Sequence, residues 1–194
     1  VDKAVAKAAA CFEIWKKTDF KERAELLHKV AGLLREKQKT LAILITKEMG
    51  KLLAHAEGEI KLSAEIFDYY ANHAEEFLTD KILHPFHGQA LVRNSPIGVL
   101  LGVQPWNFPF YQVARFAAPN IMVGNTLLIK HASIVPQCAI AIEEIFTEAG
   151  APEGLYTNLL LSGKKATALV SDKRIKGVSL TGSEEAGASV AAEA

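Results

Sequence analysis

The segment LTGSEEAG, residues 180–187, has residue types that can bind a phosphate group. Gly182 would let the backbone turn tightly, and Ser183 could cap a helix that follows. Free N–H groups at the start of such a helix can face a pyrophosphate. The alternative is a purely structural turn, because the spacing of Gly182 and Gly187 differs from the usual GxGxxG and the two glutamates after Ser183 would slightly repel a phosphate.

Two further segments carry distinctive residues where an apolar run ends. QPWNFP, residues 104–109, ends the run GVLLGVQ, and KHAS, residues 130–133, ends the run TLLIK. In an open α/β sheet, ligands bind beyond the carboxyl ends of the strands. The sequence therefore indicates three candidate binding segments at one edge of a sheet.

The elements that would position these segments follow from an alternation of apolar and amphipathic stretches. After residue 97 the runs GVLLGVQ, TLLIK, YTNLLL and IKGVSL are separated by helix-like stretches such as PFYQVARFAAPNIMVG and SIVPQCAIAIEEIFTEAG. Short apolar runs that alternate with helices predict a parallel sheet covered on both faces. We expect a doubly wound, Rossmann-like α/β cofactor-binding region over residues 97–194.

The sequence before this region divides into two parts. Residues 1–80 have apolar residues at helical spacing, and Asp19 followed by Glu22 resembles a capping box. Residues 81–96 contain short apolar stretches broken by proline and glycine, which predicts two extended segments around a turn with edge character. We therefore expect N-terminal helices followed by an extended arm.

Composition excludes several classes of function. Lys and Arg total 22 and Asp and Glu total 22, so no net field favours nucleic acid or an anionic membrane as a partner. Cys11 and Cys138 are far apart and have no metal-binding or disulfide spacing, so we expect no metal and a reducing, cytoplasmic location. No apolar run of about 18 residues is present, which predicts a soluble protein.

Taken together, the motifs resemble a known family. PWNFP, a lysine that ends the next apolar run, and TGSxxxG occur in the order seen in the NAD(P)-dependent aldehyde dehydrogenase superfamily. The chain is most similar to bacterial succinate-semialdehyde dehydrogenase-like members, which also have variants of GVQPWNFPFYQVAR and KHAS. The resemblance covers essentially the whole chain, and it implies the aldehyde dehydrogenase fold and oxidation of an aldehyde to a carboxylic acid.

The resemblance also implies roles for individual residues. Asn107 would donate its amide to the oxygen of the thiohemiacetal formed with a catalytic cysteine, and the flanking prolines would hold it in position. The alternative for Asn107 is a rigid turn in which the amide satisfies its own backbone. The residues that the resemblance assigns to the cofactor are Val103, Gln104, Pro105, Trp106, Lys130, Ser133, Gly182 and Ser183.

Cofactor choice depends on the end of the second apolar run. By resemblance, Lys130 binds the adenosine ribose, and Ser133 occupies the position at which many NAD-specific members carry a glutamate. A carboxylate would repel a 2′-phosphate, whereas a serine would accept it together with Lys130 and with His131, Lys164 or Lys165 nearby. We expect NADP to be used at least as well as NAD, and the alternative for Lys164 and Lys165 is a solvated loop.

Arg115 corresponds to an arginine that binds the substrate carboxylate in succinate-semialdehyde dehydrogenases. A guanidinium group suits this role because two parallel N–H bonds fix a planar carboxylate. A structural ion pair on an amphipathic helix is the alternative. The resemblance further implies a small aldehyde substrate and a homo-oligomer, a dimer or tetramer, in which the extended arm at residues 81–96 pairs with a neighbouring subunit.

The catalytic cysteine and general-base glutamate of the family are expected downstream of residue 194. The chain starts at Val1 and ends on GASVAAEA, and we interpret it as a segment of a longer protein that would be inactive alone. Two alternatives remain open from the sequence. One is a catalytically inactive dinucleotide-binding fragment, and the other is an aldehyde dehydrogenase for a neutral aldehyde.

Overall fold

The computed structural model describes residues 1–194, which form eight helices and six strands. The helices are α1 (Asp2–Trp15), α2 (Phe20–Glu36), α3 (Gln38–Met49), α4 (Leu53–Leu78), α5 (Tyr111–Val123), α6 (Pro136–Glu148), α7 (Gly163–Thr167) and α8 (Glu184–Glu193). The strands are β1 (Lys81–Leu83), β2 (Ala90–Val92), β3 (Val99–Gln104), β4 (Thr126–His131), β5 (Tyr156–Asn158) and β6 (Ile175–Leu180).

Strands β3 to β6 form one parallel sheet in the order β5-β4-β3-β6. The chain winds outward from β3 through β4 to β5 and then crosses to the other side of β3, where it forms β6. This reversal is the doubly wound topology. The predicted parallel α/β sheet is confirmed.

Alternate residues of the strands pack into separate layers on the two faces of the sheet. Val99 and Leu101 of β3 lie in a small apolar cluster with Val5 and Ala8 of α1. Leu100 points to the opposite face, into the larger core that helices α2 to α6 complete. Because a strand turns successive side chains to opposite faces, the apolar run of β3 is buried on both sides.

The N-terminal helices form at the predicted positions. Asp19 caps α2, since its Oδ1 accepts a hydrogen bond from the Glu22 N–H at 2.7 Å. The Glu22 side chain makes no return hydrogen bond, so only half of the predicted capping box is present. The apolar stripe of α2 is buried against α4 and the core through Leu27, Val30 and Leu34.

The segment between α4 and β3 contains an antiparallel hairpin. Strands β1 and β2 pair with Lys81 opposite Val92, and an ion pair between Asp80 and Arg93 closes the base of the hairpin. All six strand residues are exposed, and Phe86 at the turn is 98% exposed. The two extended segments match the sequence pattern, while the division of the chain at residues 80 and 96 and the role of this arm stay predictions.

None of the eight helices has both the length and the apolar character that crossing a membrane requires.

Candidate functional site

The carboxyl ends of the central strands meet at a cavity. Val103 of β3 lies between Lys130 of β4 and Leu180 of β6 in the sheet register. A cavity of about 650 Å³ opens beside these three residues, at the point where the strand order reverses. Its other lining residues include Lys164, Thr167, Ser183, Glu185, Ser189 and Val190, which come from α7, α8 and the residue before α8. Doubly wound sheets bind their ligands at this position.

Lys130 places an ammonium group in this cavity without a protein partner. The residue is 9% exposed, and its Nζ makes no hydrogen bond or ion pair. Burial lowers the pKa of Lys130 below its ordinary value. An ammonium group has three N–H donors, and the chain pairs none of them here. Ligand hydroxyl or phosphate oxygens in the cavity could accept these hydrogen bonds, so the residue fits a nucleotide.

The start of α8 borders the same cavity. Ser183 caps the helix, because its Oγ accepts a hydrogen bond from the Ala186 N–H at 3.3 Å, as predicted. Gly182 is not among the glycines with a positive φ angle, and an added Cβ would meet no atom closer than Leu180 Cδ2 at 3.5 Å. The turn at Gly182 therefore uses a backbone conformation open to other residues, and the cofactor contact of Gly182 stays a prediction.

Ser133 lies outside the cavity that holds the Lys130 side chain. It is exposed and lines a neighbouring cavity of about 350 Å³ with Pro136 and Ser162. The two residues are three positions apart at the end of β4, but they do not line one cavity. Lys164 lines the larger cavity with Lys130, and Lys165 does not. Both of these lysines lie on the short helix α7.

His131 is hydrogen-bonded to the loop that carries Asn107. Its ring is buried, and Nε2 lies 3.0 Å from the Pro109 carbonyl oxygen, to which it donates. Burial lowers the pKa of His131, an effect that the bond to Pro109 only partly offsets, which favours the neutral ring. The side chain supports the loop of residues 105–110, and its part in binding a 2′-phosphate stays a prediction.

That loop presents Asn107 to solvent. Trp106 and Asn107 are exposed, while Gln104 before them is buried and its Oε1 has no hydrogen-bond partner. The Asn107 amide makes no hydrogen bond within the chain, so the alternative of a turn held by its own asparagine side chain is not observed. The amide is free to donate to a ligand oxygen.

The residues after Asn107 are held by a carboxylate that the sequence interpretation missed. Glu59 of α4 is 4% exposed, and its Oε1 accepts hydrogen bonds from the N–H groups of Phe110 at 2.9 Å and Tyr111 at 3.2 Å. Lys51 pairs with the other oxygen. A signal was present, since Glu59 interrupts the buried stripe of α4 between Ala56 and Ile60.

Arg115 projects from α5 as an unpaired cation. The residue is exposed, it makes no ion pair, and its guanidinium carbon lies 5.9 Å from the centroid of the Tyr111 ring. The structural ion pair that the sequence left open is absent. A guanidinium group that pairs with no carboxylate of the chain can donate hydrogen bonds to the carboxylate of a ligand.

Neither cysteine has the environment of a nucleophile. Burial raises the pKa of the Cys11 thiol to about 11 and also raises the pKa of Cys138. The reactive form of cysteine is the thiolate, which these environments disfavour. The described residues therefore offer a cavity at the carboxyl ends of the strands, a free amide and a free guanidinium group, but no activated thiol.

Comparison with known proteins agrees with this geometry. The profile described as "Aldehyde dehydrogenase family" matches residues 1–194. A succinate-semialdehyde dehydrogenase [NADP(+)] of Deinococcus radiodurans is 47% identical over 187 residues, which cover 96% of this chain and 39% of that protein. A probable succinate-semialdehyde dehydrogenase [NADP(+)] of Synechocystis is 46% identical and is covered over 41% of its length, with 96% of this chain aligned.

A solved structure shares the fold closely. The succinic semialdehyde dehydrogenase of Streptococcus pyogenes, crystallised in complex with NADP+ as the cofactor, superposes with a TM-score of 0.96 at 46% identity. The match covers 99% of this chain and 42% of that one. The chain thus spans about two fifths of the length of the relatives it matches. The chain belongs to the aldehyde dehydrogenase family.

Proposed function

We propose that these residues form the cofactor-binding part of an NADP-dependent enzyme that oxidises succinic semialdehyde, or a similar ω-carboxy aldehyde, to the acid. The observation that carries the proposal is Lys130, a largely buried residue whose ammonium has no partner in the chain and faces a cavity where the sheet order reverses. A dinucleotide supplies oxygens for that ammonium group, and a nucleotide site is what a doubly wound sheet builds at this point.

NADP is favoured over NAD by the charges near the end of β4. Ser133 places no carboxylate beside the end of β4 to repel a 2′-phosphate, and Lys130 and Lys164 bring two cations to the larger cavity, which Glu185 and Glu193 also line. The names of the relatives in Deinococcus and Synechocystis and the bound cofactor of the Streptococcus protein support the same choice. When bound, NADP accepts the hydride that the aldehyde carbon gives up.

In this proposal the residues of the chain bind and orient the cofactor and the aldehyde, while the nucleophile comes from another segment. The thiolate that adds to the aldehyde and the glutamate that activates water would lie outside residues 1–194, as the family resemblance implies. Asn107 donates its amide to the oxygen that becomes negatively charged, and a neutral donor does so without taking up a proton. Arg115 binds the distal carboxylate and so selects the substrate.

The exposed hairpin supports a proposal about assembly. Its strands β1 and β2 expose apolar side chains, among them Ile82, Leu91 and Phe86, and they leave an unpaired strand edge. Exposed edges and apolar patches of this kind bind other chains. We propose that this arm pairs with a second subunit of the same enzyme in a dimer or tetramer, with the cytoplasm as its location.

The experiment compares Asn107→Ala with wild type in the full-length protein, with NADP and succinic semialdehyde. Loss of one oxyanion donor is expected to lower kcat about 10²–10³-fold. The KM for NADP should change little because Asn107 is outside the Lys130 cavity. Asn72→Ala, which truncates an exposed asparagine on α4, is the matched control and should retain wild-type kcat.

Three other results would overturn parts of the proposal. An Asn107→Ala enzyme with wild-type kcat would remove the oxyanion role. A full-length protein that binds NADP without oxidising any aldehyde would be an inactive dinucleotide-binding module. Equal turnover of a neutral aldehyde of the same length would remove the assignment of an ω-carboxy substrate.

A further inference from the structure

Building on the proposed function, we propose that Glu59, together with Lys51, is a positioning residue that sets the aim of the Asn107 amide. Neither residue touches the substrate in this account. They act on the four residues that follow Asn107, and these residues fix where the amide points.

The contact between Glu59 and the chain after Asn107 is made to the backbone. Its Oε1 accepts hydrogen bonds from two consecutive N–H groups, those of Phe110 and Tyr111, at the start of α5. N–H groups in the first turn of a helix have no partner within the helix, and a carboxylate at that end also interacts favourably with the helix dipole. Glu59 therefore joins α4 to the first turn of α5.

Lys51 extends this support to the residue next to Asn107. Its ammonium pairs with Oε2 of Glu59 and lies 3.6 Å from the centroid of the Phe108 ring. A cation over an aromatic face is attracted by the ring quadrupole, and more strongly where water is excluded. The side chains of Lys51 and Glu59 are 10% and 1% exposed, so the pair is shielded from water.

A third contact holds the remaining residue of the loop. His131 donates to the Pro109 carbonyl oxygen, which lies between the Phe108 contact and the two Glu59 contacts in the chain. Each of the four residues 108–111 is thus held by a side chain from elsewhere in the fold. The Asn107 amide, by contrast, has no partner in the chain.

A purely stabilising role does not account for a charge pair at this place. Glu59 occupies the buried stripe of α4, where the neighbouring residues are Ala56, Ile60 and Ala64. Buried ion pairs often stabilise a fold no better than apolar residues of similar size, because both charges must be desolvated. What the pair provides is a fixed direction for the loop, and displacement of a catalytic group by about 1 Å can cost about 10²-fold in rate.

The test is a double-mutant cycle in the full-length protein between Glu59→Gln and Asn107→Ala, with NADP and succinic semialdehyde. Glu59→Gln keeps the shape and removes the charge and the pairing with Lys51. We expect it to lower kcat at least about tenfold while the KM for NADP stays within about twofold. In the Asn107→Ala background the same change should have almost no further effect, because the amide it aims is gone.

Glu48→Gln is the matched control for this cycle. Glu48 of α3 accepts hydrogen bonds from the Gln137 and Cys138 N–H groups at the start of α6, at 2.7 and 2.8 Å, just as Glu59 does for α5. It should lower the melting temperature to a similar degree and leave kcat unchanged in both backgrounds. Lys51→Met, which retains the apolar stem, should lower kcat in the same direction as Glu59→Gln.

Hydrogen exchange supplies a readout that does not depend on turnover. The amides of Phe110 and Tyr111 should exchange faster in Glu59→Gln than in wild type, whereas those of Gln137 and Cys138 should do so only in Glu48→Gln. Equal rate losses from Glu59→Gln in both Asn107 backgrounds, or unchanged exchange at Phe110 and Tyr111, would overturn the positioning role. A folded wild-type protein that oxidises no aldehyde would instead overturn the proposed function on which that role rests.

Discussion

Three polar side chains of this protein have no partner within the chain, and each has the chemistry of a ligand contact. Lys130 offers an ammonium that faces a cavity, Asn107 an exposed amide, and Arg115 an exposed guanidinium group. The Lys130 case is the most informative, because this largely buried residue lines the cavity at the carboxyl ends of the strands. We therefore take Lys130 as the anchor of the cofactor site and the other two as contacts to the substrate.

Arg115→Lys tests the substrate contact at this scale. A lysine keeps the charge but loses the two parallel N–H bonds of the guanidinium group. Hydrogen bonds to charged groups contribute about 1.5–3 kcal/mol, so the KM for succinic semialdehyde should rise about tenfold or more. Steady-state kinetics with an uncharged aldehyde of similar length is the control, and a rise of the same size for that substrate would remove the carboxylate role.

At the scale of elements, the residues at the end of β4 lie in different surroundings. Lys130 faces the larger cavity, His131 turns to the Pro109 carbonyl, and Ser133 lines the neighbouring cavity after the strand has ended. In our proposal this short segment contributes both to cofactor binding and to support of the Asn107 loop. We therefore expect mutations here to separate cofactor choice from catalysis.

Ser133→Glu tests cofactor choice at this element. A carboxylate at this position should repel a 2′-phosphate and leave the ribose hydroxyls of NAD unaffected. We expect kcat/KM for NADP to fall at least about tenfold while that for NAD is retained or improved. Because both nucleotides are assayed with one enzyme preparation, NAD serves as the internal control. An unchanged ratio of the two values would show that Ser133 does not contact the phosphate.

The sequence predicted elements better than contacts. Apolar runs and helical spacing were sufficient for the parallel sheet of β3, β4 and β6, because those patterns reflect which faces are buried. The partners of His131 and Glu59 were not predictable in the same way, since they lie 22 and 51 residues away in the chain. Periodicity identifies a buried face but not what it touches, and a carboxylate in an apolar stripe indicates only that some partner exists.

Gly182 and Ser183 show how much of the local structure a short motif predicts. The sequence suggested that Gly182 lets the backbone turn tightly, but its φ angle is not positive and an added Cβ would make only ordinary contacts. The capping role of Ser183, which depends on its own side chain, was predicted correctly. The motif therefore predicted the capping hydrogen bond of Ser183 but not why residue 182 is a glycine.

At the scale of the whole molecule, the N-terminal helices and the sheet form one body. Trp15 of α1 donates a hydrogen bond to the Ile121 carbonyl oxygen at 3.1 Å. Arg23 of α2 donates to the carbonyl oxygens of Met122, at 2.8 Å, and Trp15, at 3.2 Å. The bonds to Ile121 and Met122 join α1 and α2 to α5, about 100 residues away in the chain, and the bond from Arg23 to Trp15 joins α2 to α1. The cavity beside Lys130 lies at the carboxyl edge of the sheet, away from these contacts.

The most direct measurement is the reduction of NADP and, separately, of NAD by the full-length protein with succinic semialdehyde. The absorbance of the reduced nucleotide gives the rate. We predict that the protein oxidises the aldehyde and that its kcat/KM for NADP equals or exceeds that for NAD. Absence of reduction with either nucleotide, or a strong preference for NAD, would contradict the assignment of residues 1–194 as the NADP-binding part of a succinic semialdehyde-oxidising enzyme.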